Sequence, residues 1–114
     1  MTVIPLKRRA SFRIAVTPDE DRVLVAPVGE LDLSTAVPLE EEIKGLQDRG
    51  LDIVLDLRGL TFLDSSGLRL LVNARGEALE AGTTFSLIDG ASRVCRVLDI
   101  TGLRSHFEFE PAPA

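Results

Sequence analysis

The chain contains few aromatic residues, a single cysteine and a single histidine. Its 114 residues include no Trp and no Tyr, and aromatic residues make up 4% of the total. Stacking platforms for single-stranded nucleic acid are therefore scarce. The lone cysteine, Cys95, excludes an intrachain disulfide. Because Cys95 and His106 alone cannot supply the ligand spacing of a metal centre, we predict neither a metal nor a cofactor.

Long apolar runs and an excess of positive charge are also missing. No run approaches the roughly 18 residues of a membrane span, and residues 1–10 lack the apolar core of a signal peptide. The net charge of -5 disfavours contact with phosphate backbones. The basic cluster Lys7-Arg8-Arg9 is too small to form a binding patch. We therefore predict a cytoplasmic protein with no nucleic acid and no membrane as a direct partner.

The chain contains enough aliphatic residues to form one hydrophobic core. Hydrophobic residues make up 45% of the sequence, and the length suits a single domain. We expect a domain over residues 12–110, preceded by a solvated N-terminal arm over residues 1–11. Residues 111–114, which alternate Pro and Ala, are expected to form a frayed tail.

The hydrophobic pattern predicts an α/β fold. Helices are expected to have apolar stripes facing inward, formed by Leu39, Ile43 and Leu46, then by Leu68, Leu71, Val72 and Leu79, then by Val94, Val97 and Leu98. The predicted strands cover residues 12–16, 22–28, 51–57, 84–88 and 106–109, and the predicted helices cover 34–49, 66–81 and 92–101. Alternation of strands and helices implies parallel pairing, and the opening hairpin makes the sheet mixed. We expect a small mixed β-sheet of four or five strands with helices packed against it.

The most informative segment is Asp64-Ser65-Ser66-Gly67, between an apolar run and the second helix. Asp and Ser are favoured N-cap residues, so the segment is interpreted first as a helix cap, with Gly67 allowing close packing. A helix N-terminus also stabilises negative charge through unpaired N–H groups and the helix dipole. Phosphorylation of Ser65 would add a charge of about -1.5 to -2 there, so a phosphorylation switch is the second interpretation.

A hydrolase is a weaker interpretation of the same serine. A nucleophile elbow requires G-x-S-x-G, and Leu63 occupies the position of the first glycine. The chain order Ser65, then Asp89 or Asp99, then His106 matches that of α/β-hydrolases, but an isolated match of order is weak. We predict that the chain is not an enzyme.

A second polar loop lies at Gly29-Glu30-Leu31-Asp32, after the second predicted strand. Asp32 precedes a helix, and capping is its expected local role, although Ser34 or Thr35 is also a suitable cap. If the preceding strands are parallel and adjacent, Asp32 and Ser65 lie at the same edge of the sheet. Sites of α/β domains usually form at that edge.

Three segments of the chain resemble a known family. VGELDLSTAVPLEEEI, VLDLRGLTFLDSSGLRLLV and RVLDITGLRSHFEF are similar to the signature segments of the STAS domain, and more narrowly of bacterial anti-sigma-factor antagonists. The resemblance covers about residues 12–110 and implies the small mixed sheet described above. It also implies binding to an anti-sigma factor that is a serine kinase, with release of a sigma factor. ATP-dependent phosphorylation would block binding, and a separate serine phosphatase would reverse it.

The resemblance assigns the phosphate acceptor to Ser65, with Ser66 as a poorer acceptor. The residues then expected to contact the partner are Asp32, Asp64, Ser66, Gly67 and Arg69. Arg69 departs from the family pattern, in which a small residue is common, and its cation could pair with the kinase or with phosphate on Ser65. The alternative within the family is an accessory or scaffold subunit of a transport or stress-sensing complex, in which the serine is not modified.

Overall fold

The α/β fold predicted from the sequence is confirmed in a computed structural model, which describes residues 12–113. The helices and strands of these residues are, in order, β1 Arg13–Asp19, β2 Arg22–Leu31, α1 Leu33–Asp48, β3 Asp52–Asp56, β4 Leu60–Leu63, α2 Ser65–Ala81, β5 Phe85–Ile88, α3 Ser92–Ile100, a 3₁₀ turn Arg104–His106 and β6 Glu108–Glu110. The predicted arm, residues 1–11, lies outside the described residues. No helix within residues 12–113 has the length and apolarity that a bilayer crossing requires.

Within the described residues the sheet has six strands. Their order is β1-β2-β3-β5-β6, and β4 pairs with β2 beside this path. β1 and β2 form the predicted antiparallel hairpin, whereas all other pairs are parallel. The predicted mixed sheet is therefore confirmed, but the expected number of four or five strands is too low.

The missing strand is β4. The sequence pattern treated residues 58–63 as a connection, but Leu60–Leu63 pairs with the last residues of β2. A strand of four residues is too short to show a two-residue period clearly, and its pairing depends on a distant segment.

The same pairing lengthens β2 beyond the predicted end at Val28. A register shift between Gly29 and Glu30 lets the end of β2 leave β3 and continue beside β4. Gly29 has a φ of 121°, which favours glycine, and its N–H donates to the carbonyl oxygen of Gly59 at 3.1 Å. β2 therefore extends to Leu31, where we expected a loop.

The core lies between the helices and one face of the sheet. Leu39, Ile43 and Leu46 of α1 are buried as predicted. In α3, Val94 and Leu98 are buried and Val97 packs against the core from a partly exposed position. At about 1.5–3 kcal/mol for each large aliphatic side chain, this burial is the main stabilising contribution available to the fold.

The inward face of α2 was predicted correctly at Leu68 and Leu71 and wrongly at Val72 and Leu79. Leu71 is buried and Leu68 is partly buried, but Val72 is 43% and Leu79 is 64% exposed. The buried residues are Gly67, Leu70, Leu71, Ala74 and Ala78, which follow a helical spacing. The prediction was wrong because it followed the larger apolar residues, whereas α1 packs closely against small residues of α2.

The helix ends agree better with the prediction from the sequence than the last strand does. Gly50 and Gly82 follow α1 and α2 with a φ of 76° each, as expected for residues that end helices. The final strand, predicted at residues 106–109, is Glu108–Glu110 after the 3₁₀ turn. Residues 111–113 follow it without helix or strand.

Candidate functional site

The junction between β4 and α2 is capped by Asp64. Its Oδ1 accepts hydrogen bonds from the N–H groups of Ser66 at 2.9 Å and Gly67 at 3.3 Å. These are two of the N–H groups that have no partner within the helix. The helix-cap interpretation is therefore confirmed for Asp64, and the capping role does not fall to Ser65.

Ser65 is the first residue of α2, and its side chain is exposed. None of the side-chain hydrogen bonds found among residues 12–113 uses its hydroxyl, because the cap is made by the preceding aspartate. The hydroxyl is thus accessible to an approaching enzyme, and the helix does not require it. Ser66, by contrast, is half-buried.

The junction between β2 and α1 is built in the same way. Asp32 is the N-cap, and it accepts from the N–H groups of Ser34 at 3.0 Å and Thr35 at 3.2 Å. Its own N–H donates to Oγ1 of Thr35 at 2.9 Å, which completes a capping box. Ser34 and Thr35 therefore lie in the first turn and are not the caps.

These hydrogen bonds also set the ionisation of Asp32. Partial burial acts to raise its pKa, but the hydrogen bonds from Ser34 and Thr35 outweigh this effect and hold the pKa below its ordinary value. Asp32 is consequently a fixed negative charge at this edge of the sheet at neutral pH.

The two capped junctions lie side by side. Leu31 is in register with Leu63 in the parallel β2–β4 pair, and the N–H of Asp64 donates to the carbonyl oxygen of Leu31 at 3.3 Å. Asp32 and Asp64 directly follow Leu31 and Leu63 at the ends of these two strands, so the predicted convergence at one edge of the sheet is confirmed. β4, which the sequence pattern missed, is the strand that brings them together.

A groove of about 210 Å³ separates the first turns of α1 and α2 beside Ser65. Its lining residues are Leu33, Ala36, Val37, Glu40, Ser66, Arg69 and Leu70. The structure therefore brings the predicted residues Ser66 and Arg69 to one groove. Asp32 and Asp64 do not line the groove, but they cap the two helices whose first turns form it.

The apolar residues of this groove were not predicted as site residues. Leu33 is 75% and Val37 is 54% exposed, and Phe62, two residues before Asp64, is 41% exposed. A signal was present in the sequence, because Leu33 and Val37 fall outside the inward stripe of α1. Exposed apolar groups around a polar centre are typical of protein interaction sites.

Gly67 is buried below this surface. A Cβ at this position would lie 3.0 Å from Cγ and Cδ2 of Leu31 and closer still to Cδ1 of Leu63. The absence of a side chain lets α2 approach the ends of β2 and β4, which positions Ser65. Its predicted role in partner binding therefore remains a prediction, and it would act through helix placement.

The alternative hydrolase residues have other partners. Arg104 pairs with Asp89 at 2.7 Å and also with Asp99. Cys95 donates its thiol to Asp89, which together with burial raises the pKa of this thiol. Both aspartates thus pair with an arginine and not with His106. Among residues 12–113 no group of three His, Cys, Asp or Glu side chains could hold a metal ion.

Comparison with known proteins gives the class of protein to which this fold and site belong. The model of the STAS domain matches residues 13–114. The chain belongs to the STAS domain family.

Comparison with individual proteins gives a narrower likeness than the family model does. The anti-sigma-B factor antagonist of Bacillus subtilis is 29% identical over 94 residues, which are 82% of this chain and 86% of the relative. The crystal structure of an anti-sigma factor antagonist from Mycobacterium paratuberculosis has a TM-score of 0.80 at 29% identity and covers 90% of this chain and 87% of that one. The Bacillus cell fate determinant SpoIIAA in its phosphorylated form has a TM-score of 0.68 at 21% identity over 90% of this chain and 91% of that one, which shows a common fold.

Proposed function

We propose that this chain is a cytoplasmic anti-sigma-factor antagonist that is switched off by phosphorylation of Ser65. In its unmodified form it binds an anti-sigma factor with serine-kinase activity, which then releases a sigma factor. The observation that carries this proposal is the exposed Ser65 hydroxyl at the start of α2, where Asp64 already makes the cap. The names of the relatives support the partner class, and the geometry supports the position of the switch.

The docking surface is the groove beside Ser65. Leu33 and Val37 offer exposed apolar area that a partner can bury, and Arg69 offers a cation for a carboxylate of the partner. Among the described residues Arg69 makes no ion pair. Asp32 and Asp64 then set the charge at one side of the interface.

Phosphate on Ser65 would change this surface without unfolding the helix. Asp64 occupies the N–H groups of Ser66 and Gly67, so these donors are not available to the phosphate oxygens. The phosphate therefore adds about -1.5 to -2 charges beside an existing carboxylate, at a place where a partner must remove water. Arg69, four residues later on the helix, is placed to pair with it and hold it over the groove. Removal of the phosphate by a serine phosphatase restores binding.

The charge effect is tested by Ser65→Asp in a titration against the anti-sigma factor of the source organism. We expect affinity to fall at least about tenfold, which corresponds to about 1.4 kcal/mol. The matched control is Ser105→Asp, which places the same charge on an exposed serine of the 3₁₀ turn before β6, the strand at the far end of the sheet order from β1. Unchanged affinity of the Ser65 variant, or an equal loss for both variants, would contradict the proposed site.

The acceptor is tested with the complex and ATP. We expect Ser65→Ala to bind and to stay bound after ATP is added, while Ser66→Ala is released like the unaltered chain. Release of the Ser65→Ala variant by ATP would place the acceptor elsewhere. If the unaltered chain binds subunits of a transport or sensor complex and no kinase, the scaffold alternative replaces the switch.

A further inference from the structure

β1 forms an accessible edge of the sheet. It is the first strand of the sheet order, and within residues 12–113 it has one neighbouring strand, β2. A strand in this position presents a row of backbone N–H and C=O groups along its outer side. Every residue of β1 is exposed except Ile14, which is partly buried, and the apolar Val16 is 39% exposed. The outer side of β1 is therefore open to another strand.

The hairpin turn decides which backbone groups of β1 point outward. Asp19 and Arg22 flank the two-residue turn Glu20-Asp21, so they form a hydrogen-bonded pair, and every second pair along the hairpin does the same. The residues between these pairs direct their backbone groups to the outer edge. Within β1 these residues are Ile14, Val16 and Pro18.

Two prolines agree with this alternation. Pro27 of β2 lies opposite Ile14, at a pair that requires no N–H from it. Pro18 lacks an N–H on the outer side, which is where a proline of an edge strand is tolerated. The outer edge of β1 therefore offers the N–H groups of Ile14 and Val16 together with the carbonyl oxygens of all three residues.

The sequence of β1 is complementary to itself in the antiparallel direction. When two copies of Arg13–Asp19 pair along their whole length, the two Val16 residues face each other and can exchange two main-chain hydrogen bonds. Ile14 then faces Pro18 of the second copy, whose carbonyl oxygen can accept the N–H of Ile14. At each end, Arg13 faces Asp19 of the second copy.

The side chains favour the same register. Val16 lies opposite Val25, a core residue with no exposed surface, so Val16 and Ile14 lie at the margin of the face that the helices cover. Pairing would join these side chains from both copies in one apolar cluster. Arg13 makes no ion pair within residues 12–113, and the side chain of Asp19 is 52% exposed, so both can form the new pairs.

We propose that this chain forms a two-fold dimer in which the β1 strands of two copies pair antiparallel, centred on Val16. The two sheets then become one continuous sheet. Charge complementarity selects a second copy as the occupant, because Arg13 and Asp19 stand at opposite ends of the same strand. Pro18 shortens the hydrogen-bonded ladder, and a contact of one strand is small, so the association is weak and reversible.

The dimer is tested first with the unaltered chain, by sedimentation velocity from about 5 μM to about 1 mM in about 50 mM salt, where surface charges are weakly screened. We expect the sedimentation coefficient to rise toward that of a dimer. Amide hydrogen exchange should slow about tenfold at Ile14 and Val16 where about 90% of the chain is dimeric, and stay unchanged at the turn residue Glu20. A monomer at the highest concentration, or a dimer with unchanged exchange at Ile14 and Val16, would overturn the proposal.

The register is tested by exchanging charges. Arg13→Asp and Asp19→Arg each place like charges at both ends of the pair, so each should raise the Kd of the dimer about tenfold. An equimolar mixture of the two variants should dimerise like the unaltered chain, because the charges of one variant then face opposite charges of the other.

Asp21→Arg is the matched control for these variants. It makes the same charge change as Asp19→Arg at an exposed position in the turn, outside the pairing strand, and should leave the Kd within about twofold. Equal weakening by Asp21→Arg, or a mixture of Arg13→Asp and Asp19→Arg that stays monomeric, would overturn the proposed pairing.

Discussion

Substitution of two glycines of α2 by alanine tests how the proposed phosphorylation site is positioned. Gly67 is buried against Leu31 and Leu63, whereas a Cβ on Gly76 would meet nothing within 4 Å. Alanine improves helix propensity by about 0.8–1.0 kcal/mol relative to glycine in a helix interior. Alanine therefore gains helix propensity at both positions, but only at Gly67 does its methyl group meet neighbouring side chains.

The magnitudes follow from the contacts. At Gly76 only the propensity gain applies, so Gly76→Ala should stabilise the fold by about 1 kcal/mol. At Gly67 the new methyl group would lie 3.0 Å from two carbons of the buried Leu31, and overpacking of a core costs about 1–3 kcal/mol. Gly67→Ala should therefore destabilise the fold by about 1 kcal/mol after the propensity gain is subtracted. The two variants should differ by about 2 kcal/mol, or about 8 °C in Tm for a domain of this size.

Thermal unfolding followed by far-UV circular dichroism is the appropriate assay, because the chain has no Trp or Tyr for fluorescence. Urea titrations supply the free energies of unfolding and show through the m-value whether the transition stays two-state. A Gly67→Ala variant as stable as Gly76→Ala would refute the close approach of α2 to the ends of β2 and β4. Gly67→Ala should also weaken binding of the proposed partner, because α2 must shift outward.

Two further predictions concern capping and pH. Asp64→Ala should lower the free energy of unfolding in urea by about 1 kcal/mol, because the N–H groups of Ser66 and Gly67 lose their acceptor. Asp64→Asn keeps an acceptor and should be nearly as stable as the unaltered chain. Equal losses for the two variants would show that the charge of Asp64, and not its capping hydrogen bonds, stabilises the helix. Burial acts to raise the pKa of Asp56, but the hydrogen bonds and charge of Arg58 outweigh it and leave the pKa below its ordinary value. Its stabilising contribution is therefore complete above the unfolded pKa of about 4 and is lost as pH falls through the folded pKa. Asp56→Asn should show a shallower loss of stability below about pH 4, and an identical acid profile would contradict this assignment.

The local elements were largely predictable because each depends on a short stretch of chain. The inward stripe of α1, the glycines after α1 and α2 and the alternation of strands and helices are set by side-chain spacing and backbone preference. The Asp64-Ser65-Ser66-Gly67 segment was recognised as a helix start, and the structure confirms Asp64 as its cap. These features need no information about distant residues.

Predictions failed where distant segments decide the outcome. β4 forms because Leu60–Leu63 meets the end of β2 after the register shift at Gly29, and neither segment alone reveals the pairing. The inward face of α2 is chosen by close packing against α1, which favours Ala74 and Ala78 over the larger Val72 and Leu79.

The sequence by itself determined that Ser65 lies in a capping segment at the start of a helix, because a cap is made within three residues. Tertiary structure alone decided which residues surround that serine. The β2–β4 pair brings Asp32 beside Asp64, and the packing of α1 on α2 places Leu33 and Val37 in the same groove. Contacts between residues about 30 positions apart depend on strand register and helix packing, and these are fixed only when the whole core assembles.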